Sequence, residues 1–115
     1  MQDTTHLRSL YPYHCAQRPG GLLVEGPYRV RFGRDSGDLE TILHHRRDAD
    51  RFDLACHHLL VESTHDGQLA ASCRLMSTFM ARETGFPASA TFTLDEMPPS
   101  VLAQTIEVGR IYTHE

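Results

Sequence analysis

The chain has no lysine. All eleven of its basic residues are arginine, which excludes Schiff-base lysine chemistry and the lysine-dependent phosphate loop of nucleoside triphosphatases. Any fixed positive charge is therefore a guanidinium, a group suited to forked pairing with carboxylates or phosphates. Cysteine is scarce and odd in number. Cys15, Cys56 and Cys73 lack close-paired spacing, so a disulfide framework is not expected, and reduced thiols used in packing are the default. Long apolar runs are missing as well: no stretch approaches the roughly 18 residues of a membrane span, and "MQDTTHLRSL" has no secretion-signal core. These absences point to a cytoplasmic location. Positive charge is not in excess either, since a formal charge of −4 and a pI near 6.0 argue against a nucleic-acid binder.

What is present fits one folded domain. A chain of 115 residues with 40% hydrophobic and 23% charged residues has the composition of a globular domain with a single modest core. Residues 1–21, with "YPYHCAQRPGG", show no sustained period and read as an arm, and the domain is expected to cover 22–115. "YRVRF" (28–32) alternates as a half-buried strand. Asp38 is placed as the cap of a short helix carrying Leu39, Ile42 and Leu43 and ending in "HHRR". "LACHHLLVEST" (54–64), the turn "HDG" and "QLAASCRLMS" (68–77) read as an antiparallel hairpin. Residues 78–98 read as a long irregular connection with one strand at "ATFTL". "PPSVLAQ" suits a helical turn, and "TIEVGRIYT" (105–113) is the last strand.

Three groups of residues carry candidate chemistry. In "DADRFD", Asp50 and Asp53 flank Arg51 and Phe52 before a strand. The pattern reads as a solvated turn, or as an aspartate pair aligning Arg74 of the facing strand, because a buried guanidinium needs a carboxylate partner. The histidine and cysteine set of His44, His45, Cys56, His57, His58 and Cys73 lacks a zinc-ligand spacing, and no metal is expected. His57 and His58, adjacent on a strand, should face opposite ways. In "IEVGRIYTHE", Glu107 and Arg110 are three apart and would face opposite sides of a regular strand. Gly109 between them suggests a bulge that brings both to one side, either as an internal salt bridge or as part of a reaction site.

"DRFDLACHHLLV", "DGQLAASCRLM" and "GFPASATFTLDEMPPSVLAQTIEVGRIYTHE", in that order, resemble bacterial L-ornithine N-acyltransferases of ornithine-lipid synthesis. Those enzymes are grouped with N-acyl amino acid synthases and acyl-homoserine lactone autoinducer synthases in the GNAT superfamily. The resemblance covers roughly residues 28–115 and implies an α+β fold with a mainly antiparallel sheet and flanking helices. It implies a charged cluster of Arg46 or Arg47, Asp50, Asp53, Arg74 and Arg110, with Glu107 as the catalytic base near Gly109. It further implies acyl transfer from an acyl carrier protein or CoA thioester to an amino acid's amino group, with no tightly bound cofactor. Peripheral association with a membrane is a further expectation. Two departures stand out: only Asp48 and Ala49 separate Arg47 from Asp50, where the family carries a longer loop, and the chain stops where a phosphate-binding helix would follow. The expectation is thus an N-terminal half of the fold. The alternative is a non-catalytic module that pairs with a partner or a second copy through its last strand.

Overall fold

The structure is a computed structural model that describes residues 10–13, 20–90 and 97–114. Five strands form one antiparallel meander in chain order: β1 (Leu22–Glu25), β2 (Tyr28–Phe32), β3 (His57–Ser63), β4 (Leu69–Ser77) and β5 (Ile106–Thr113). Helix α1 (Ser36–Arg46) lies between β2 and β3, and the short helices α2 (Ala81–Thr84) and α3 (Pro99–Leu102) lie between β4 and β5. This is the α+β class expected. The candidate strand at "ATFTL" falls largely outside the described residues.

Register decides what each face carries, because residues directly opposite one another share a face. Arg31, Leu60, Ser72 and Tyr112 form one row across β2 to β5, and His58, Arg74 and Gly109 form the next. Helix α1 covers this face. Its Ile42 packs on Leu60 and Leu69, with Tyr112 at the margin. The opposite rows are Leu23, Val30 and Val61, then Phe32, Leu59 and Cys73, then His57, Leu75 and Val108. His57 and His58 therefore do face opposite ways.

Three local expectations are corrected. The cap of α1 is Asp35, not Asp38: Asp35 has extended backbone, and its side chain accepts from the Asp38 N–H at 3.0 Å. Asp38 sits in the first turn, where its carboxylate is free to take Arg31. Residues 54–56 belong to turns rather than to the hairpin, which begins at His57, since Ala55 and Cys56 donate their N–H groups back to Phe52. The bulge sits one residue beyond Gly109. Arg74 opposes Gly109 and Ser72 opposes Tyr112, so Arg110 and Ile111 together oppose Cys73, and Arg110 takes the left-handed backbone with φ of 48°.

Tyr11, from the expected arm, is buried with Leu39 and Leu43 and accepts a hydrogen bond from the His58 N–H at 3.1 Å. A Cβ at Gly33 would come within 2.5 Å of the Tyr11 hydroxyl, so glycine makes that docking possible.

Candidate active site: a guanidinium and carboxylate cluster beside Glu107

The loop that leaves α1 folds back over β4 and carries its carboxylates with it. Arg47 closes the helix in the left-handed conformation, φ 66°, which turns the chain toward Asp48, Asp50 and Asp53. Asp50 then folds the loop on itself: its Oδ1 accepts from the Phe52 N–H at 2.9 Å, while its own N–H donates to Asp53 Oδ2 at 2.8 Å. Both aspartates thereby present oxygens to β4.

Arg74 receives them. Its Nη1 and Nη2 donate to the two oxygens of Asp50 at 2.6 and 3.0 Å, and Nη1 also reaches Asp53 Oδ1 at 3.1 Å. Arg46, at the last turn of α1, donates to the same Asp53 oxygen at 2.6 Å and pairs with Asp48. Arg110 completes the ring, 2.9 Å from Asp50 Oδ2 and 3.3 Å from Asp48 Oδ2. Three guanidiniums and three carboxylates are interleaved. Burial alone would push the Asp50 carboxyl up, but the hydrogen bonds from Arg74 and Arg110 outweigh it and hold the group below the usual aspartate range. Arg74 responds in the reverse sense: burial lowers it, and the bonds to Asp50 and Asp53 leave it raised.

The structure thus unites Arg46, Asp50, Asp53, Arg74 and Arg110. Arg47 stays exposed and outside the cluster. Asp48, which sequence reasoning treated only as a spacer, is the third carboxylate.

Glu107 lies on the same face, opposite Met76 and two residues before Gly109. Its Oε1 accepts from the Ala88 N–H at 3.0 Å. Its Oε2 points along the strand: a Cβ built on Gly109 would meet nothing but that oxygen, at 4.0 Å. Glycine here leaves open space bordered by a half-buried carboxylate oxygen. The strand bulge has the expected effect, since Glu107 and Arg110 address the same side. They do not pair with each other. Arg110 is committed to Asp48 and Asp50, and among the described residues no arginine pairs with Glu107.

Among the described residues, Asp53, Cys56 and His58 bring donor atoms within 4.8 Å of one another. Their chemistry opposes a cation. Asp53 Oδ1 already serves two guanidiniums, and burial pushes the Cys56 thiol up to about 12. His58 Nε2 lies 2.9 Å from the Asp53 carbonyl oxygen and donates to it as a neutral imidazole, because burial takes His58 down to about 4.

A protein-family model described as an acetyltransferase (GNAT) domain matches residues 28–115. The chain belongs to this family, and the family is one of acyltransferases. No curated protein and no solved structure gives a significant match.

Proposed function

We propose that this domain transfers a fatty acyl group from an acyl carrier protein or CoA thioester to the amino group of an amino acid such as ornithine. The observation that carries the reading is Glu107, a carboxylate that has no cation partner among the described residues, on the face where Asp48, Asp50 and Asp53 each have one. A general base must be free to take a proton. In the proposed reaction the acceptor ammonium gives a proton to Glu107 Oε2, directly or through water. The resulting amine attacks the thioester carbonyl, and backbone N–H groups of the bulged strand near Arg110 stabilise the tetrahedral oxyanion. The C–S bond then breaks, the attacking nitrogen gives up its second proton as the amide forms, and the departing thiolate takes up a proton in its place, directly or through water. The arginine and aspartate cluster holds the bulge in place.

The test is acyl transfer by the 115-residue chain with a long-chain acyl carrier protein and ornithine, compared with Glu107→Ala. The proposal predicts amide formation that falls by about 10²- to 10⁴-fold in the variant, the range for losing a general base. No turnover above background in either protein would sink it.

One observation favours a second reading, a non-catalytic pairing module. β5 is an edge strand of the described sheet, and Ile106, Val108 and Ile111 on it are 59%, 53% and 75% exposed. Edge strands of this kind invite strand addition. Light scattering showing a monomer at high concentration would remove this reading.

A further inference from the structure

The two faces of the sheet are unlike. Alternation along the strands puts Arg31, Glu62, Arg74 and Glu107 on the face that α1 covers. Helices α2 and α3 pack on that side as well, since Ala81 and Leu102 join the cluster of Met76, which lies opposite Glu107. The other face holds Leu23, Val30, Val61 and Ala71 in one row and Phe32, Leu59 and Cys73 in the next, and it continues through Leu75 and Val108 to Ile106. Among the described residues, none of these belongs to a core cluster. Every strand side chain on this face except His57 keeps contact with solvent.

We infer that this face is where two copies of the chain pack, sheet on sheet, about a twofold axis running along β3. Area is the first argument. Strands of four to nine residues, at about 3.3 Å per residue and about 4.8 Å apart, give the face a footprint of about 500 Å². Two copies together then cover about 1,000 Å², the size at which an interface becomes specific. Shape is the second argument. β2 presents the bulky Tyr28, Val30 and Phe32, whereas β4 presents the small Ala71 and Cys73 in the same rows. The axis along β3 sets β2 of each copy over β4 of the other, so Val30 meets Ala71 and Phe32 meets Cys73, twice in the pair.

The third argument is charge. A twofold interface brings like groups near one another, and the paired rows of this face carry a single carboxylate, Glu25, at the corner beside Tyr28. The arginines of the strands, Arg29, Arg31, Arg74 and Arg110, all belong to the opposite face. A second copy therefore meets no repulsion across the rows, while a bilayer surface would find no strand cation for its phosphates. The pairing differs from strand addition at β5, because it uses a face and leaves both edges free. It is also independent of the proposed acyl transfer, since Glu107 and its neighbours look away from the second copy.

Neighbours on β1 supply the test. Leu22 and Leu23 are 60% and 59% exposed, but Leu23 is on the proposed interface and Leu22, opposite Arg31, is on the other face. Sedimentation equilibrium of the full chain over a wide concentration range should show a reversible dimer. Its Kd should rise at least about tenfold in Leu23→Asp and in Val108→Asp, because the twofold buries two unpaired carboxylates per dimer. Leu22→Asp should stay within about twofold of the parent, as a surface substitution does. A monomer at every concentration overturns the inference. So does equal weakening by Leu22→Asp and Leu23→Asp, which marks pairing through the β1 edge, or weakening by Val108→Asp alone, which marks pairing through β5. A dimer indifferent to both Leu23→Asp and Val108→Asp overturns it too. If Val108→Asp fails to fold, the Leu22 and Leu23 variants decide alone.

Discussion

Two charged networks sit under α1, one at each end, and they use the same chemistry for different ends. Near the start of the helix, Arg31 grips both oxygens of Asp38 at 2.7 and 2.8 Å and both oxygens of Glu62 at 2.9 and 3.1 Å, with Arg29 adding a bond to Glu62. Near its end lie Arg46, Arg74 and Arg110 with their three aspartates. The second network has a deeper centre and a wetter rim: Arg74 and Asp53 are 6% and 3% exposed but Asp50, Arg110 and Asp48 are 25%, 40% and 44%, whereas Arg31, Asp38 and Glu62 of the first are evenly 12–13% exposed. The first joins α1 to adjacent strands and stops there. The second joins the helix end, the following loop, β4 and the bulge of β5, and it borders the open space at Gly109. Forked pairing is thus used once to dock a helix and once to hold a strand irregularity beside Glu107, which pairs with no arginine among the described residues.

Removing one partner from each network should separate them. Arg74→Ala leaves Asp50 and Asp53 without their shared cation, and a loss of about 3–5 kcal/mol in urea denaturation is expected for a broken buried pair. Arg31→Ala removes charged hydrogen bonds of a less deeply buried guanidinium and should cost about 1.5–3 kcal/mol. Equal costs would break the comparison.

Acid should reveal the depth of the second site. His58 sits against Asp53 with its protonation pushed from 6.5 down to about 4, so the unfolded chain binds a proton in that range that the folded chain refuses. Stability contributed by neutral His58 is complete above pH 6.5 and is lost as the pH falls toward 4. Asp38, Asp50 and Glu62, all lowered by their arginine partners, add their losses at the lower pH where carboxylates protonate. A thermal-stability profile should therefore begin to fall near pH 6.5, and a curve flat down to the carboxylate range would contradict the burial of His58.

The smallest expected effect concerns the helix start. Asp35→Ala removes the capping bond to the Asp38 N–H and should cost about 1 kcal/mol, while Asp38→Ala keeps that bond but should cost more because it strips Arg31 of a forked partner.

Alternation made much of the fold readable. "YRVRF", the hairpin and "TIEVGRIYT" became β2, β3 with β4, and β5, because one face of each is covered and the period of two survives. The helix cap was harder, since Asp35, Ser36 and Asp38 are all able caps and only the tertiary demand of Arg31 decides among them. Asp50, Asp53 and Arg74 could be linked from the sequence as a plausible pairing. Asp48 could not, because its partners Arg46 and Arg110 meet only after the loop has folded back. The position of the bulge was likewise hidden: glycine is the residue expected in a left-handed conformation, yet Arg110 adopts it, held by two aspartates.

The central claim is that Glu107 is the free base on a face whose other charges are spent on structure. Its most direct test is the rate of thiol release from a long-chain acyl carrier protein in the presence of ornithine, for the parent chain and Glu107→Gln. The account predicts ornithine-dependent release that drops by about 10²-fold or more in Glu107→Gln with Tm nearly unchanged, since the amide still accepts the Ala88 N–H. Ornithine-dependent release at equal rates in the two proteins would contradict it.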